Sequence, residues 1–152
     1  MITYTKAKLS DIVLMQDVVK PEVDKGIILF RSSDEMATNI RSYILAKKEG
    51  EIVGFGALHF HADDLAEVRS LVVKEGFRGC GIGKGIVEAL LKEGASLAVK
   101  KIFTLTYQKA FFEAVGFSEI PQESLPSQKI WADCIKCKHF PVCDEIALIK
   151  TL

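Results

Sequence analysis

The sequence lacks an excess of charge of either sign. Lys and Arg number 20, Asp and Glu number 20, the formal net charge is zero, and the isoelectric point is about 6.8. A protein without a basic field has no long-range attraction for the phosphates of nucleic acid or for anionic lipid. We therefore expect neither nucleic acid nor a membrane as a partner.

Long apolar runs are missing as well. No run approaches the length of about 18 residues that a membrane-spanning helix needs, and the opening stretch MITYTKAKLSDIVLMQ lacks the apolar core of a signal peptide. These absences favour a cytoplasmic protein. Cysteine is scarce, with four residues, and in a reducing compartment these are expected as free thiols or metal ligands rather than disulfides.

The composition that remains is typical of one folded domain. Hydrophobic residues make up 49% and charged residues 26% of the 152 residues, a balance that allows a single buried core. No repeat, low-complexity segment or linker rich in proline and glycine divides the chain. We predict one domain over residues 1–152, with a cysteine-rich segment at 131–145.

Periodicity predicts helices interspersed with a mainly antiparallel sheet, an α/β or α+β fold. One helix is predicted from its cap at Ser10 to Pro21, which closes it. A second is predicted to begin at Ser32 and to continue at helical spacing towards Tyr43. A hairpin should turn at Glu49–Gly50, and a strand, a glycine-rich turn and an amphipathic helix should follow.

The glycine-rich turn is the strongest chemical signal. In VRSLVVKEGFRGCGIGKGIVEALL the three glycines Gly79, Gly81 and Gly83 directly precede a predicted helix. The backbone N–H groups at a helix start have no intrahelical partner and can bind an anion, and glycine leaves no side chain between backbone and phosphate. Arg78 and Lys84 add positive charge there.

Two common phosphate-binding loops do not fit this turn. A Walker A loop needs Gly where Arg78 stands and Ser or Thr where Gly85 stands. The dinucleotide pattern G-x-G-x-x-G fails at Lys84 from one starting glycine and at Ile86 from the next. The pattern R-x-x-G-x-G remains, and a turn that only makes a tight bend stays as the alternative.

This pattern resembles the turn of the GNAT family of N-acetyltransferases, which holds the pyrophosphate of acetyl-CoA. The preceding LVV strand and the later FFEAVGF segment fit the same family. The resemblance implies a mixed, mainly antiparallel central sheet flanked by helices, and acetyl-CoA as the cosubstrate. It also implies that the strand before the turn splays from its neighbour and pairs with the pantetheine arm, here through the backbone of Leu71 and Val73.

Three further strings resemble the acetyltransferase domain of the N-acetylglutamate synthases: GIILFRSSDEMATNI, GALHFHADDLAEVRSLVV and FTLTYQKAFFEAVGF. The resemblance implies an amino-acid acceptor, L-glutamate first, and a place in arginine biosynthesis. Regulation by arginine stays open, as does a homodimer. The alternatives are another amine, such as a polyamine, an antibiotic or a protein N-terminus, and, from a different class, a zinc-dependent binding module.

An acceptor with two carboxylates needs forked cationic donors. Arg31 and Arg69 are the candidates, because guanidinium binds carboxylate in bidentate fashion. Ser32 and Ser70 could each add a hydrogen bond. The alternatives are that Arg31 is a surface cation and Ser32 only a helix cap. Weaker cationic candidates are Arg41 and Lys129.

Direct transfer of the acetyl group needs a base for the substrate ammonium. Glu67, on the strand that leads to the glycine turn, is the predicted base, with His59 and His61 in reserve. Many members of the family carry a tyrosine as general acid where this chain has Phe112, which cannot donate a proton. Tyr107 is the predicted substitute, with a packed aromatic as its alternative role.

The cysteine-rich segment supplies a candidate metal site. Cys134, Cys137, His139 and Cys143 have the spacing of zinc ligands, but a single CxxC is less than a structural zinc site normally uses. Zinc is therefore considered but not expected. Cys80, inside the glycine turn, is a weak nucleophile candidate, because direct transfer needs no acyl-enzyme.

Overall fold

The structure is a computed structural model that describes residues 1–125 and 145–152. Its helices and strands alternate along the chain, with a long hairpin in the middle. The strands are β1 (Ile2–Lys6), β2 (Tyr43–Lys48), β3 (Glu51–Ala62), β4 (Leu65–Val73), β5 (Lys101–Thr106), β6 (Ser118–Ile120) and β7 (Ile146–Thr151). The helices are α1 (Ile12–Asp24), α2 (Ser33–Thr38), α3 (Ile82–Ser96) and α4 (Lys109–Ala114).

The described strands form one sheet in the order β1-β2-β3-β4-β5-β7-β6. Strands β4 and β5 pair in parallel, and the other neighbouring pairs are antiparallel. The crossover between β4 and β5 contains α3, as a parallel pair requires. The predicted fold class, a mainly antiparallel sheet flanked by helices, is confirmed.

Each face of the sheet has its own apolar core. Helix α3 covers one face, where Ile86, Val87 and Leu90 pack against Leu58 and Val68 of the sheet. Burying one such side chain stabilises the fold by about 1.5–3 kcal/mol. Helices α1 and α2 cover part of the other face through a second cluster. That cluster contains Ile12, Met15, Met36, Tyr43, Leu45, Ile52, Phe55, Ala57 and Val72.

The predicted ends of α1 are wrong at both positions. Ser10 lies within a short 3-10 turn before the helix, and the carboxylate there that accepts a backbone N–H, from Lys8 at 2.8 Å, belongs to Asp11. Pro21 lies inside the helix, which continues to Asp24. A proline in the last turn removes only one helical hydrogen bond and has the φ that a helix needs. It therefore does not end the helix.

Helix α2 begins where the sequence predicts and ends earlier. Ser32 is its cap, since the Ser32 hydroxyl accepts a hydrogen bond from the backbone N–H of Glu35 at 3.1 Å. The helix ends at Thr38, and Tyr43 begins β2 instead of continuing the helical pattern. As strand β2, this segment pairs through its backbone with both β1 and β3. A short helix without tertiary packing is only marginally stable, so strand pairing outweighs the helical spacing of the sequence.

The predicted hairpin between β2 and β3 is confirmed. Its turn is Glu49–Gly50, and both residues have positive φ, 52° and 83°. Two successive positive φ values match the twist of the flanking strands. The strand β6, which the sequence analysis did not predict, pairs with β7 at the edge of the sheet.

Candidate active site

The candidate site is a cleft where β4 and β5 separate. The two strands pair from Leu65 to Glu67 on β4. One residue further, the Thr104 hydroxyl donates a hydrogen bond to the carbonyl of Val68 at 2.9 Å. Beyond this point a cleft of about 800 Å³ lies between the strands, lined by both of them, by the glycine turn and by the segment after α1.

A bulge shapes the β4 side of the cleft. Ser70 has a φ of 58°, and the register between β3 and β4 shifts beside it, so that two residues of β4 oppose Gly56 of β3. A bulge bends its strand and leaves the extra residue outside the ladder. A positive φ outside glycine is strained and is found preferentially at functional sites. Ser70 itself lines the cleft.

The glycine turn lies at the cleft and opens α3. Gly79 and Gly81 have φ values of 79° and 80°, and a Cβ added at either position would meet no atom within 4 Å. Gly81 is the N-cap of α3, whose first N–H groups are therefore available to an anion. This open cradle of backbone donors fits the pyrophosphate of acetyl-CoA. At Gly83 an added Cβ would be in ordinary contact with Phe111, at 3.4 Å.

Arg78 ties the glycine turn to α1. Its Nε donates to the Val73 carbonyl at 2.9 Å, and its Nη2 donates to Oε1 of the buried Glu22 at 2.8 Å. About half of its side chain remains exposed. Lys84, in the first turn of α3, lines the cleft, as do the predicted pantetheine partners Leu71 and Val73. The carbonyl of Val73 is thus already bonded to Arg78.

Two buried guanidinium groups lie in the wall of the cleft. Arg31 and Arg69 are both buried and both line it. Nη1 of Arg31 donates to Oε2 of Glu35 at 2.8 Å. Burial raises the pKa of the Tyr43 phenol, while the charges of Arg69 and Arg31 lower it and that of Glu35 raises it, so the four groups form one electrostatic cluster.

The other predicted substrate residues occupy different positions. The Ser32 hydroxyl serves as the cap of α2 and is not among the cleft residues, whereas Ser70 is. Arg41 lies in an exposed turn before β2. Lys129 falls outside the described residues. Sequence reasoning missed Tyr43 and Glu35, because their part in the cluster depends on strand pairing and on the return of the chain after α1.

The predicted base lies at the floor of the cleft. Glu67 lines the cleft, yet only 2% of its side chain is exposed. Its Oε1 is 2.9 Å from Nε2 of His61 on β3. The His59 ring contacts the His61 ring edge to face, with centroids 4.8 Å apart. The structure thus brings together all three groups that the sequence singled out as bases.

The aromatic residues of the cleft come from β5 and α4. Tyr107 follows β5 directly, is partly exposed and lines the cleft. Phe111 and Phe112 also line it. Phe112 is buried and packs edge to face against Phe117, with ring centroids 5.2 Å apart. Tyr107 thus lines the cleft and remains the predicted general acid, and Phe112 forms part of the cleft wall.

The cysteine cluster cannot be placed in this site. The candidate zinc ligands Cys134, Cys137, His139 and Cys143 lie outside the described residues. Within residues 1–125 and 145–152, no group of three His, Cys, Asp or Glu side chains is arranged to hold a metal ion. Cys80 is an exposed free thiol in the glycine turn. In the same part of the chain, no helix has the length and apolar character to cross a membrane.

Comparison with known proteins decides the family. The model of the acetyltransferase (GNAT) family matches residues 14–117, which include the bulged strand, the glycine turn and α4. The chain belongs to the GNAT family. An uncharacterized N-acetyltransferase from Chlorobaculum tepidum is 38% identical over 146 residues, which cover 96% of this GNAT chain and 94% of that relative. The predicted N-acetyltransferase activity and cosubstrate, acetyl-CoA, are confirmed.

The resemblance to amino-acid acetyltransferases is confirmed at lower identity. The amino-acid acetyltransferase of Mycobacterium tuberculosis is 32% identical over 118 residues, covering 76% of this GNAT chain and 67% of the relative. That of Pasteurella multocida is 29% identical, but the matched segment covers only 29% of that longer protein.

A solved structure shows the same fold. The N-acetylglutamate synthase of Neisseria gonorrhoeae, complexed with coenzyme A and N-acetyl-glutamate, superposes with a TM-score of 0.88 and 19% identity. The match covers all of this GNAT chain and 35% of that one.

Proposed function

We propose that this GNAT chain transfers the acetyl group of acetyl-CoA to the α-amine of an amino acid, with L-glutamate as the first candidate acceptor. The observation that carries the proposal is the pair of buried guanidinium groups, Arg31 and Arg69, in the wall of the cleft. Glu35 already pairs with Arg31, and the two guanidinium groups in the cleft wall could also bind the carboxylates of an amino-acid acceptor through paired hydrogen bonds. The relatives named amino-acid acetyltransferase support the same acceptor class.

The cofactor would lie along the separated edge of β4. Its pyrophosphate would bind the N–H groups of the glycine turn and the start of α3, with Lys84 supplying charge. Its pantetheine arm would follow the backbone from Val73 to Leu71, which brings the thioester towards Ser70 and Glu67. In this arrangement the backbone binds the cofactor, and side chains bind the acceptor.

Glu67 would act as the general base. An α-ammonium group has a pKa of about 8 in unstructured peptides, so it is largely protonated at neutral pH and must lose a proton before it can attack. The amine would then attack the thioester carbonyl, and a backbone N–H of the bulged strand would stabilise the oxyanion. Coenzyme A would leave as a thiolate, which Tyr107 would protonate.

The deciding experiment measures release of free thiol from acetyl-CoA with a panel of acceptors. Glutamate, glutamine and aspartate form a matched series, because glutamine lacks one charge and aspartate lacks one methylene. A polyamine, an aminoglycoside and a peptide with a free N-terminus represent the other amine classes. We expect turnover with glutamate and at least about tenfold less with glutamine, because glutamine loses a charged hydrogen bond.

Two results would contradict the proposal. If the protein acetylates a polyamine, an antibiotic or a peptide but no amino acid, its acceptor belongs to another class of amine. A melting temperature unchanged by saturating acetyl-CoA would contradict the cofactor site proposed at the glycine turn, because a bound ligand stabilises the folded state.

A further inference from the structure

A mostly buried carboxylate lies in the wall of the cleft beside the glycine turn. Glu22, in the last turn of α1, lines the cleft, and only 12% of its side chain is exposed. We propose that Glu22 is a positioning residue of the cofactor site: it holds the Arg78 guanidinium, and through it the glycine turn, in the conformation that binds pyrophosphate. The inference rests on the proposed placement of the pyrophosphate at this turn.

The sign of its charge indicates that Glu22 is not itself a ligand of the cofactor. Like charges repel, so a carboxylate in the wall of a pyrophosphate site lowers the attraction of that site for its ligand. A buried carboxylate is also costly unless a cation and hydrogen bonds satisfy it. Arg78 supplies both, because its Nη2 donates to Oε1 of Glu22 at 2.8 Å. Nζ of Lys25 lies further from the same oxygen, at 3.9 Å. Pairing with Arg78 therefore accounts for a carboxylate at this position.

Arg78 is held through two of its guanidinium nitrogens. Nε donates to the carbonyl of Val73, the last residue of β4, and Nη2 donates to Glu22. The guanidinium group is planar and its donors point in fixed directions, so two hydrogen bonds determine its orientation. The residue directly before Gly79 is thus attached both to β4 and to α1.

The glycine turn needs such support because its glycines have open space around them. Gly79 and Gly81 have positive φ, and a Cβ added at either would meet no atom within 4 Å. Glycine also loses more conformational freedom on ordering than any other residue. Helix α3 holds one end of the turn, where the backbone N–H of Gly85 donates to the Gly81 carbonyl at 3.0 Å. Arg78 holds the other end.

The end of α1 is itself fixed, so it can support this contact. The backbone carbonyl of Glu22 accepts hydrogen bonds from the N–H groups of Ile27 at 2.9 Å and Ile28 at 3.3 Å. Both isoleucines belong to the segment after α1 that lines the same cleft. The carboxylate of Glu22 therefore holds the glycine turn, and its backbone holds the start of this segment.

The test measures the Kd of coenzyme A by titration calorimetry for the wild type and Glu22→Gln. Glutamine keeps the shape of glutamate and removes its charge. If Glu22 acted only through its charge, Glu22→Gln would bind the anionic cofactor more tightly, because a repulsion is removed. We expect the opposite, a Kd raised by at least about threefold, because a hydrogen bond to an ionised carboxylate is roughly twice as strong as one to a neutral group. The KM of acetyl-CoA should rise equally, with kcat and the KM of the acceptor unchanged.

Glu75→Gln is the matched control. Glu75 is an exposed carboxylate three residues before Arg78, so this variant makes the same change of charge near the same turn. We expect its Kd for coenzyme A to equal that of the wild type or to be slightly lower. The melting temperature of each variant, with and without coenzyme A, shows whether it is folded and binds the ligand.

Two substitutions of Arg78 separate its charge from its contacts. Arg78→Lys keeps the charge but lacks the planar fork that reaches Val73 and Glu22 together. It should weaken coenzyme A binding about as much as Arg78→Gln. The double variant Glu22→Gln/Arg78→Gln should bind no more weakly than Arg78→Gln alone, because Glu22 acts through Arg78.

Three results would overturn the inference: unchanged or tighter binding of coenzyme A in Glu22→Gln, unchanged binding in Arg78→Lys, or losses that multiply in the double variant. The calorimetry needs no acceptor, so its outcome does not depend on which amine is acetylated. A wild type that binds no coenzyme A counts against the proposed function. A wild type that binds it, together with a Glu22→Gln variant that binds it equally well, counts against this inference alone.

Discussion

The two halves of the cleft are lined by different groups, backbone in one half and side chains in the other. The half proposed to bind the cofactor, called the cofactor half, consists of backbone: the glycine turn, the start of α3 and the separated edge of β4. The half proposed to bind the acceptor, called the acceptor half, consists of side chains: Arg31 and Arg69 line the cleft, and Tyr43 of β2 and Glu35 of α2 interact with them from behind its wall. Glu67, at the floor of the cleft, lies between the two halves.

This difference determines how each half tolerates change. A backbone site depends on φ values and open space, so most side chains around it can vary while its glycines cannot. A side-chain site depends on a few charged groups held by tertiary contacts. Substitutions in the cofactor half should therefore act through conformation, and substitutions in the acceptor half should act through charge.

The largest effect on activity is expected for Glu67, which lies between the two halves. Glu67→Gln should lower kcat by about 10²- to 10⁴-fold, the usual range for loss of a general base, with little change in either KM. Steady-state kinetics against both substrates measure it. Glu51→Gln is the matched control, because Glu51 is an exposed carboxylate on the neighbouring strand β3 and forms an ion pair with Lys74. Equal turnover in wild type and Glu67→Gln would remove Glu67 as the base.

The acceptor half should respond to loss of one guanidinium. Arg31→Ala should raise the KM of the acceptor by about 10- to 100-fold, from a charged hydrogen bond worth about 1.5–3 kcal/mol, and leave the KM of acetyl-CoA unchanged. Arg41→Ala, an arginine in an exposed turn, is the control. If Arg31→Ala and Arg41→Ala both keep the wild-type KM for the acceptor, other residues bind the acceptor's carboxylate.

The cofactor half can be tested with two glycines of equal geometry. Gly81 and Gly50 have φ values of 80° and 83°, and an added Cβ meets no atom within 4 Å at either position. Ala at each should destabilise the fold by about 1 kcal/mol, the strain of a left-handed residue. Only Gly81→Ala should also raise the KM of acetyl-CoA, by about tenfold, through loss of hydrogen bonds to charged phosphate. Similar KM values in the two variants would argue against a phosphate site at the turn.

The smallest effect concerns the buried phenol of the acceptor half. Burial raises the pKa of Tyr43 above its ordinary value of 10.0. Its protonated form therefore stabilises the fold below about pH 10, and this stability is lost as pH rises through the higher pKa. Urea midpoints between pH 9 and 11 should fall less steeply in Tyr43→Phe than in wild type. In Tyr4→Phe the slope should change less, because Tyr4 is 39% exposed.

The same contrast explains what could be predicted from the sequence. The glycine turn, the hairpin at Glu49–Gly50 and the cap at Ser32 are local, since each depends on the conformational preferences of a few adjacent residues. The cluster around Tyr43 is not local: its members are far apart in sequence and meet only through the sheet. The wrong C-terminal end of α1 has the same origin, because the contact of Glu22 with Arg78 supports the turn that Pro21 was expected to end.

The hydrogen bond from Thr104 to Val68 sets the depth of the cleft. Since the strands pair up to Glu67 and separate beyond Val68, a cofactor arm lying along β4 can advance only to that point, one residue from the carboxylate. Inserting or deleting one residue before Thr104 would move this end by about 3.3 Å along the strand, more than a hydrogen bond can absorb. In the proposed arrangement, the Thr104 hydroxyl would thus limit how far the cofactor enters and would align its end with Glu67.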